Sequence, residues 1–105
     1  MDGKALTKQE IFDSICKSRT RLHAFGIRTI GLFGSFVRGD ETKQSDIDLL
    51  VEFDVEKKTF DNFIDACFYL EDLFHRKVEL VTRDSLSPYL KPHIEKEIEY
   101  VSLGN

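Results

Sequence analysis

Two short apolar runs on either side of a polar loop constrain this chain more than any other feature. Thr29-Ile-Gly-Leu-Phe33 opens on β-branched residues and stops at Gly34-Ser35, the pattern of a buried strand. Asp46 to Phe53 alternates, with Ile47, Leu49, Val51 and Phe53 on one face and Asp46, Asp48, Leu50 and Glu52 on the other. Between them, Arg38 to Ser45 is too hydrophilic for a strand, and residues 35 to 40 suit one helical turn. The ten residues Phe36 to Ser45 let the second strand return antiparallel beside the first. The end of one strand then lies next to the start of the other.

The rest of the chain supplies cover for such a sheet. Thr7 and Glu10 have the spacing of a capping box, and Ile11, Phe12, Ile15, Cys16, Leu22 and Phe25 follow a helical period up to Gly26. This predicts one helix over about residues 8 to 25. A second helix runs from Phe60 to near His75, its Phe60, Phe63 and Phe74 read as core. Lys77 to Thr82 reads as a third strand, and Ile94, Ile98 and Val101 predict a closing helix. The order α-β-(α)-β-α-β-α defines an α/β (α+β) fold, a small mixed sheet of about three strands flanked by helices. A length of 105 residues fits one domain, 1–105.

Composition removes several functions. A net charge of −4 argues against general nucleic-acid binding, which rests on a basic excess. The opening residues MDGKALTKQE have no apolar signal core, and no run reaches membrane-spanning length. Cys16 and Cys67 stand alone in helical patterns, without metal-like spacing, and read as reduced core thiols of a cytoplasmic protein.

The chemistry lies where the two strands meet. Asp46 and Asp48 project from one face of a strand, where two carboxylates repel unless a cation sits between them. Hard oxygen ligands suit Mg²⁺, which also accepts substrate phosphates. Facing them, the Gly34-Ser35 turn offers backbone N–H groups, close approach at glycine and a hydroxyl, all suited to a phosphate.

Gly34-Ser35, ten residues, then Asp46-Ile47-Asp48 resembles the signature of the DNA polymerase β-like nucleotidyltransferase superfamily. The string GSFVRGDETKQSDIDLLVEF and the tail SLSPYLKPHIEKEIEYV are similar to its minimal nucleotidyltransferase branch. Average composition yields Gly-Ser and Asp-x-Asp at this spacing in roughly one chain of this length per thousand. The resemblance extends over about residues 7 to 101. It implies a third carboxylate on the next core strand, here Glu79, where the superfamily more often has Asp.

The resemblance also implies a mechanism. Asp46, Asp48 and Glu79 would hold two Mg²⁺ ions, with Glu79 helping to deprotonate the acceptor hydroxyl. Gly34 and Ser35 would hold the β- and γ-phosphates of a nucleoside triphosphate, expected to be ATP, and Arg38 could reach them. A surface ion pair with Asp40 or Glu41 is the alternative for Arg38, and one with Lys77 or Arg76 for Glu79. Similar proteins of the minimal branch are often antitoxins paired with a HEPN-domain RNase toxin, and some attach AMP to a tyrosine of it. The expected partner is therefore a HEPN-type toxin protein in a homo- or hetero-oligomer. Two other readings stay open: an antitoxin acting by contact alone, and a catalytic subunit acting on a small molecule.

Overall fold

The computed structural model describes residues 6–103. Five helices, α1 (Lys8–Lys17), α2 (Arg19–Ala24), α3 (Ser35–Arg38), α4 (Phe60–Phe74) and α5 (Leu90–Glu97), surround four strands, β1 (Ile27–Phe33), β2 (Ile47–Phe53), β3 (Val78–Thr82) and β4 (Glu99–Val101). The sheet order is β3-β2-β1-β4. β1 pairs antiparallel with both β2 and β4, whereas β2 and β3 run parallel. This is the mixed sheet expected, with one strand more.

The two faces of this sheet have different tasks. Ile30 and Leu32 of β1, Leu49 and Val51 of β2 and Leu80 of β3 join Ile11 and Ile15 of α1 and Ala66, Leu70 and Phe74 of α4 in one buried cluster. Burying aliphatic side chains of this size is worth about 1.5–3 kcal/mol each, so this face carries the fold. The opposite face holds Gly31 in register with Leu50, and Phe33 with Asp48. The α5 end lies over it: a Cβ on Gly31 would meet Ile98 Cδ1 at 2.6 Å. Strand alternation therefore places Asp48 on the face away from the main core.

Several elements depart from the sequence reading. The first helix is two, broken at the buried Ser18 (φ −98°, ψ 10°). Its capping box is present: Thr7 N–H donates to Glu10 Oε1 at 3.0 Å, and Glu10 N–H donates to Thr7 Oγ1 at 3.1 Å. The closing helix stops at Glu97, because Ile98 turns extended (ψ 137°) and Val101 pairs with Ile30. The open edge of β1 thus converts a helically spaced segment into β4. Phe74 is buried as expected, but Phe60 is an exposed residue at the start of α4. No helix among the described residues is long and apolar enough to cross a membrane. Cys16 and Cys67 are free thiols, and burial, then Glu71 and Glu79, pushes the Cys67 thiol up, away from reactivity.

Candidate active site

The C-terminal end of β1 and the N-terminal end of β2 meet where the antiparallel register pairs Phe33 with Asp48. The chain then leaves β1 through Gly34 at φ 85°, ψ −154°, a conformation open almost only to glycine. Glycine is needed for a second reason. A Cβ at Gly34 would collide with Asp48 Oδ2 and lie 2.9 Å from its Cγ. The acid at 48 packs directly on the bare backbone of the turn, so turn and carboxylate form one unit.

After Gly34, α3 makes a single turn and ends at Gly39 in the left-handed region (φ 84°). Ser35 opens this turn and Arg38 closes it, two residues short of the 35 to 40 that the sequence suggests. The first amides of a helical turn have no acceptor within the helix and are left for other acceptors. The Gly34 N–H is different: it donates to Glu97 Oε2 at 2.7 Å. Glycine at 34 therefore contributes room rather than a phosphate donor.

The acids assemble from neighbouring strands. Asp46 immediately precedes β2, and Asp48 stands in parallel register with Glu79 of β3, so the two share a face. The Asp48 carboxyl is pushed up to about 6 from its ordinary 3.8, first by burial, then by Glu79 and Asp46, while Arg38 opposes and Glu97 reinforces the shift. Its surroundings are short of positive charge. Lys77 Nζ lies 4.0 Å from Asp46 Oδ2, a marginal pair between a largely exposed lysine and a partly buried acid. Neither Lys77 nor Arg76 forms an ion pair with Glu79 within the described residues, so the alternative reading of that acid finds no support. Arg76 instead donates to the Ser45 carbonyl at 2.9 Å and lies over the Phe36 ring at 5.4 Å, pinning the loop that leads into Asp46.

Arg38 makes the ion pair with Asp40 that is its alternative expectation, and adds Glu97 as a second partner. Its Nε donates to Asp40 Oδ2 at 3.3 Å, and its Nη1 lies 3.4 Å from both Glu97 oxygens. These bonds, Asp40 first, raise its already high pKa, so the guanidinium is a fixed cation at the mouth of the turn.

Whether Mg²⁺ fits is a question of donor chemistry. Among the described residues no group of three or more His, Cys, Asp and Glu is placed to hold a metal ion by itself. Magnesium does not require one, since it is commonly held by one or two carboxylates together with substrate phosphates and water. A raised Asp48 beside Asp46 and Glu79 is a donor set that a hard cation would relieve. The residues present fit that ion as a partner of nucleotide rather than as a resident metal.

The sequence reading missed Glu97 altogether and gave Arg76 a different partner. Glu97 is 63 positions from the amide it accepts from, and nothing in its local spacing singles it out. Arg76 is the helix-end cation that the sequence offered as a partner for Glu79, and its actual acceptors are backbone carbonyls.

Comparison with known proteins supplies the family. The nucleotidyltransferase domain family matches residues 13–101, so the chain belongs to that family, and the resemblance places it in the minimal branch. The protein adenylyltransferase MntA of Thermococcus cleftensis is 38% identical over 97 residues, covering 91% of this chain and 97% of that protein. A toxin–antitoxin crystal structure with AMP-PNP superposes with a TM-score of 0.69 at 22% identity, covering 90% of this chain and 74% of the other. A complex of a tri-AMPylated Shewanella oneidensis HEPN toxin with its MNT antitoxin gives a TM-score of 0.61 at 18% identity, covering 87% and 71%. These two structures speak for the shared fold.

Proposed function

We propose that this chain, as one minimal nucleotidyltransferase domain, transfers AMP from ATP to a tyrosine of a HEPN-type toxin in the cytoplasm and so acts as its antitoxin. The observation that carries the reading is the packing of Asp48 on Gly34, with Asp46 and Glu79 beside it and Arg38 at the mouth of the same turn. The name of the Thermococcus relative and the AMPylated toxin in the Shewanella complex favour this acceptor class.

Asp46 and Asp48, assisted by Glu79, would hold two Mg²⁺ ions. When bound, these ions supply charge stabilisation to the phosphoryl oxygens. Ser35 and Arg38 bind and orient the β- and γ-phosphates. Glu79 accepts the proton of the tyrosine hydroxyl. The phenolic oxygen bonds to the α-phosphorus as the bond to the bridging β-oxygen breaks, and pyrophosphate leaves. Association with the toxin brings that hydroxyl to Asp46, Asp48 and Glu79.

The test is label transfer from α-³²P-ATP to a co-expressed HEPN partner in Mg²⁺ buffer. Asp46→Asn/Asp48→Asn is expected to lower the rate by about a thousandfold or more, since both anionic ligands are lost. Undiminished labelling by that variant would refute the mechanism. Neutralisation of the toxin by the variant without labelling would assign the chain to contact-only antitoxins.

A further inference from the structure

We propose that Glu97 is a positioning residue for the nucleotide, its carboxylate fixing the Gly34 turn and the Arg38 guanidinium in one arrangement that receives the triphosphate. The proposal rests on the nucleotide-site reading above and adds a residue contributed by the distant tail. Glu97 Oε2 accepts the Gly34 N–H at 2.7 Å, and both Glu97 oxygens lie 3.4 Å from Arg38 Nη1. A carboxylate that accepts from an amide and a guanidinium together makes charge-assisted bonds, stronger than neutral ones. Its side chain is 23% exposed, less than half the 52% of Arg38, so the acid is the anchored member of the pair.

The location of Glu97 is locally unfavourable twice over. It is the last residue of α5, where the helix dipole favours cations and disfavours an anion. It also adds negative charge beside Asp48, whose carboxyl already sits among acids. An acid tolerated against both effects is held there by its contacts with Gly34 and Arg38. The backbone fixes it from both sides, by the end of α5 and by Glu99, two residues on, which pairs with Leu32 of β1. Folding of the tail onto β1 thereby sets the turn that follows β1.

Two arrangements of function are separable by sign. If Glu97 positions the turn, losing it weakens nucleotide binding. If it occupies space that phosphate must take, losing it strengthens binding. The experiment is titration calorimetry with AMP-PNP and Mg²⁺ on the wild type, Glu97→Ala, Glu97→Gln and Asp46→Asn/Asp48→Asn. Glu97→Ala is expected to weaken binding about tenfold or more, the worth of charge-assisted bonds. Glu97→Gln should recover a large part, because its amide oxygen still accepts from Gly34. In ¹H–¹⁵N spectra the Gly34 amide should lie downfield in the wild type and Glu97→Gln and move upfield in Glu97→Ala, with the Ile30 and Leu49 amides unchanged. Unchanged or tighter binding by Glu97→Ala, in a wild type that binds, overturns this proposal and leaves the nucleotide site standing. No binding by the wild type, or full binding by the double Asp variant, overturns the site and this proposal with it.

Discussion

Strand β1 begins and ends at a glycine with positive φ, and the two ends differ in what they place against it. Gly26 (φ 93°) stops α2 and leads into β1, and a Cβ there would collide with the side chain of Lys57. Its N–H donates to the His23 carbonyl at 2.9 Å, and its carbonyl accepts from Asp54 at 2.8 Å. Nearby, Phe53 and Phe63 rings meet at 6.4 Å. Gly34 (φ 85°) instead abuts an acid, with two more acids and a fourth carboxylate close by and one guanidinium among them. The same backbone device lies under the aliphatic stem of an exposed lysine at one end and admits a carboxylate to bare backbone at the other. A glycine requirement therefore reports on function when the atoms crowding it are themselves a charged group that the fold leaves unbalanced, as at Gly34, and not when they are an aliphatic stem, as at Gly26.

The paired substitutions Gly26→Ala and Gly34→Ala break this comparison most sharply. Both introduce a Cβ at positive φ, and each should lower stability by about 1–3 kcal/mol through backbone strain. Only Gly34→Ala also pushes Asp48 from its seat. It should reduce Mg²⁺-dependent AMP-PNP binding about a hundredfold or more, as expected when a binding group is displaced. Gly26→Ala should bind normally wherever it remains folded. Calorimetry at a temperature where circular dichroism shows both variants folded makes the measurement. Equal binding by the two would mean that the two ends of β1 differ only in composition.

The next effect concerns unbalanced charge. Asp48 has a folded value of about 6 against an ordinary 3.8, so the folded state holds this proton more firmly than the unfolded state does. Its stabilising contribution is complete below about pH 3.8 and is lost as pH rises through about 6. A shift of this size corresponds to about 3 kcal/mol, reduced to about 1–2 kcal/mol for a half-buried group screened by solvent. Asp48→Asn should therefore unfold later than the wild type at pH 8, by about that amount in urea, and match it near pH 4. Mg²⁺ with AMP-PNP should narrow the gap at pH 8 by stabilising the wild type alone. A variant less stable than the wild type at pH 8 would show that the carboxylate is balanced by the fold.

The sequence disclosed the half of this site that is local and hid the half assembled from afar. Alternation from Asp46 to Phe53 reports which side chains share a face, and the loop length reports which strand ends meet; both survive in the register of Phe33 with Asp48. The break at Ser18 left no trace, since neither Gly nor Pro marks it and Ile11, Ile15 and Leu22 keep a helical period across it. β4 was illegible for a related reason. Ile94, Ile98 and Val101 suit a helix, and only the unpaired edge of β1 selects the extended form. Glu97 depends on that same event, because its carboxylate reaches Gly34 only once the tail has joined the sheet. Tertiary pairing decided β4 and Glu97, which local patterning missed.

The smallest effect sharpens the comparison within the acid group itself. Glu79 is second to burial in raising the Asp48 carboxyl, ahead of Asp46. Glu79→Gln keeps the length and polarity of the side chain while removing its charge, so the Asp48 titration followed by ¹³C NMR without metal should move down by less than about one pH unit. That corresponds to under about 1.4 kcal/mol. Lys77→Gln is the matching control, because Lys77 faces Asp46 across 4.0 Å and is largely exposed. Its removal should leave the Asp48 titration within a few tenths of a unit. A larger response to Lys77 than to Glu79 would shift the electrostatic centre of the site from the β2–β3 register to the loop before β2, and Glu79 would lose its place as the third acid.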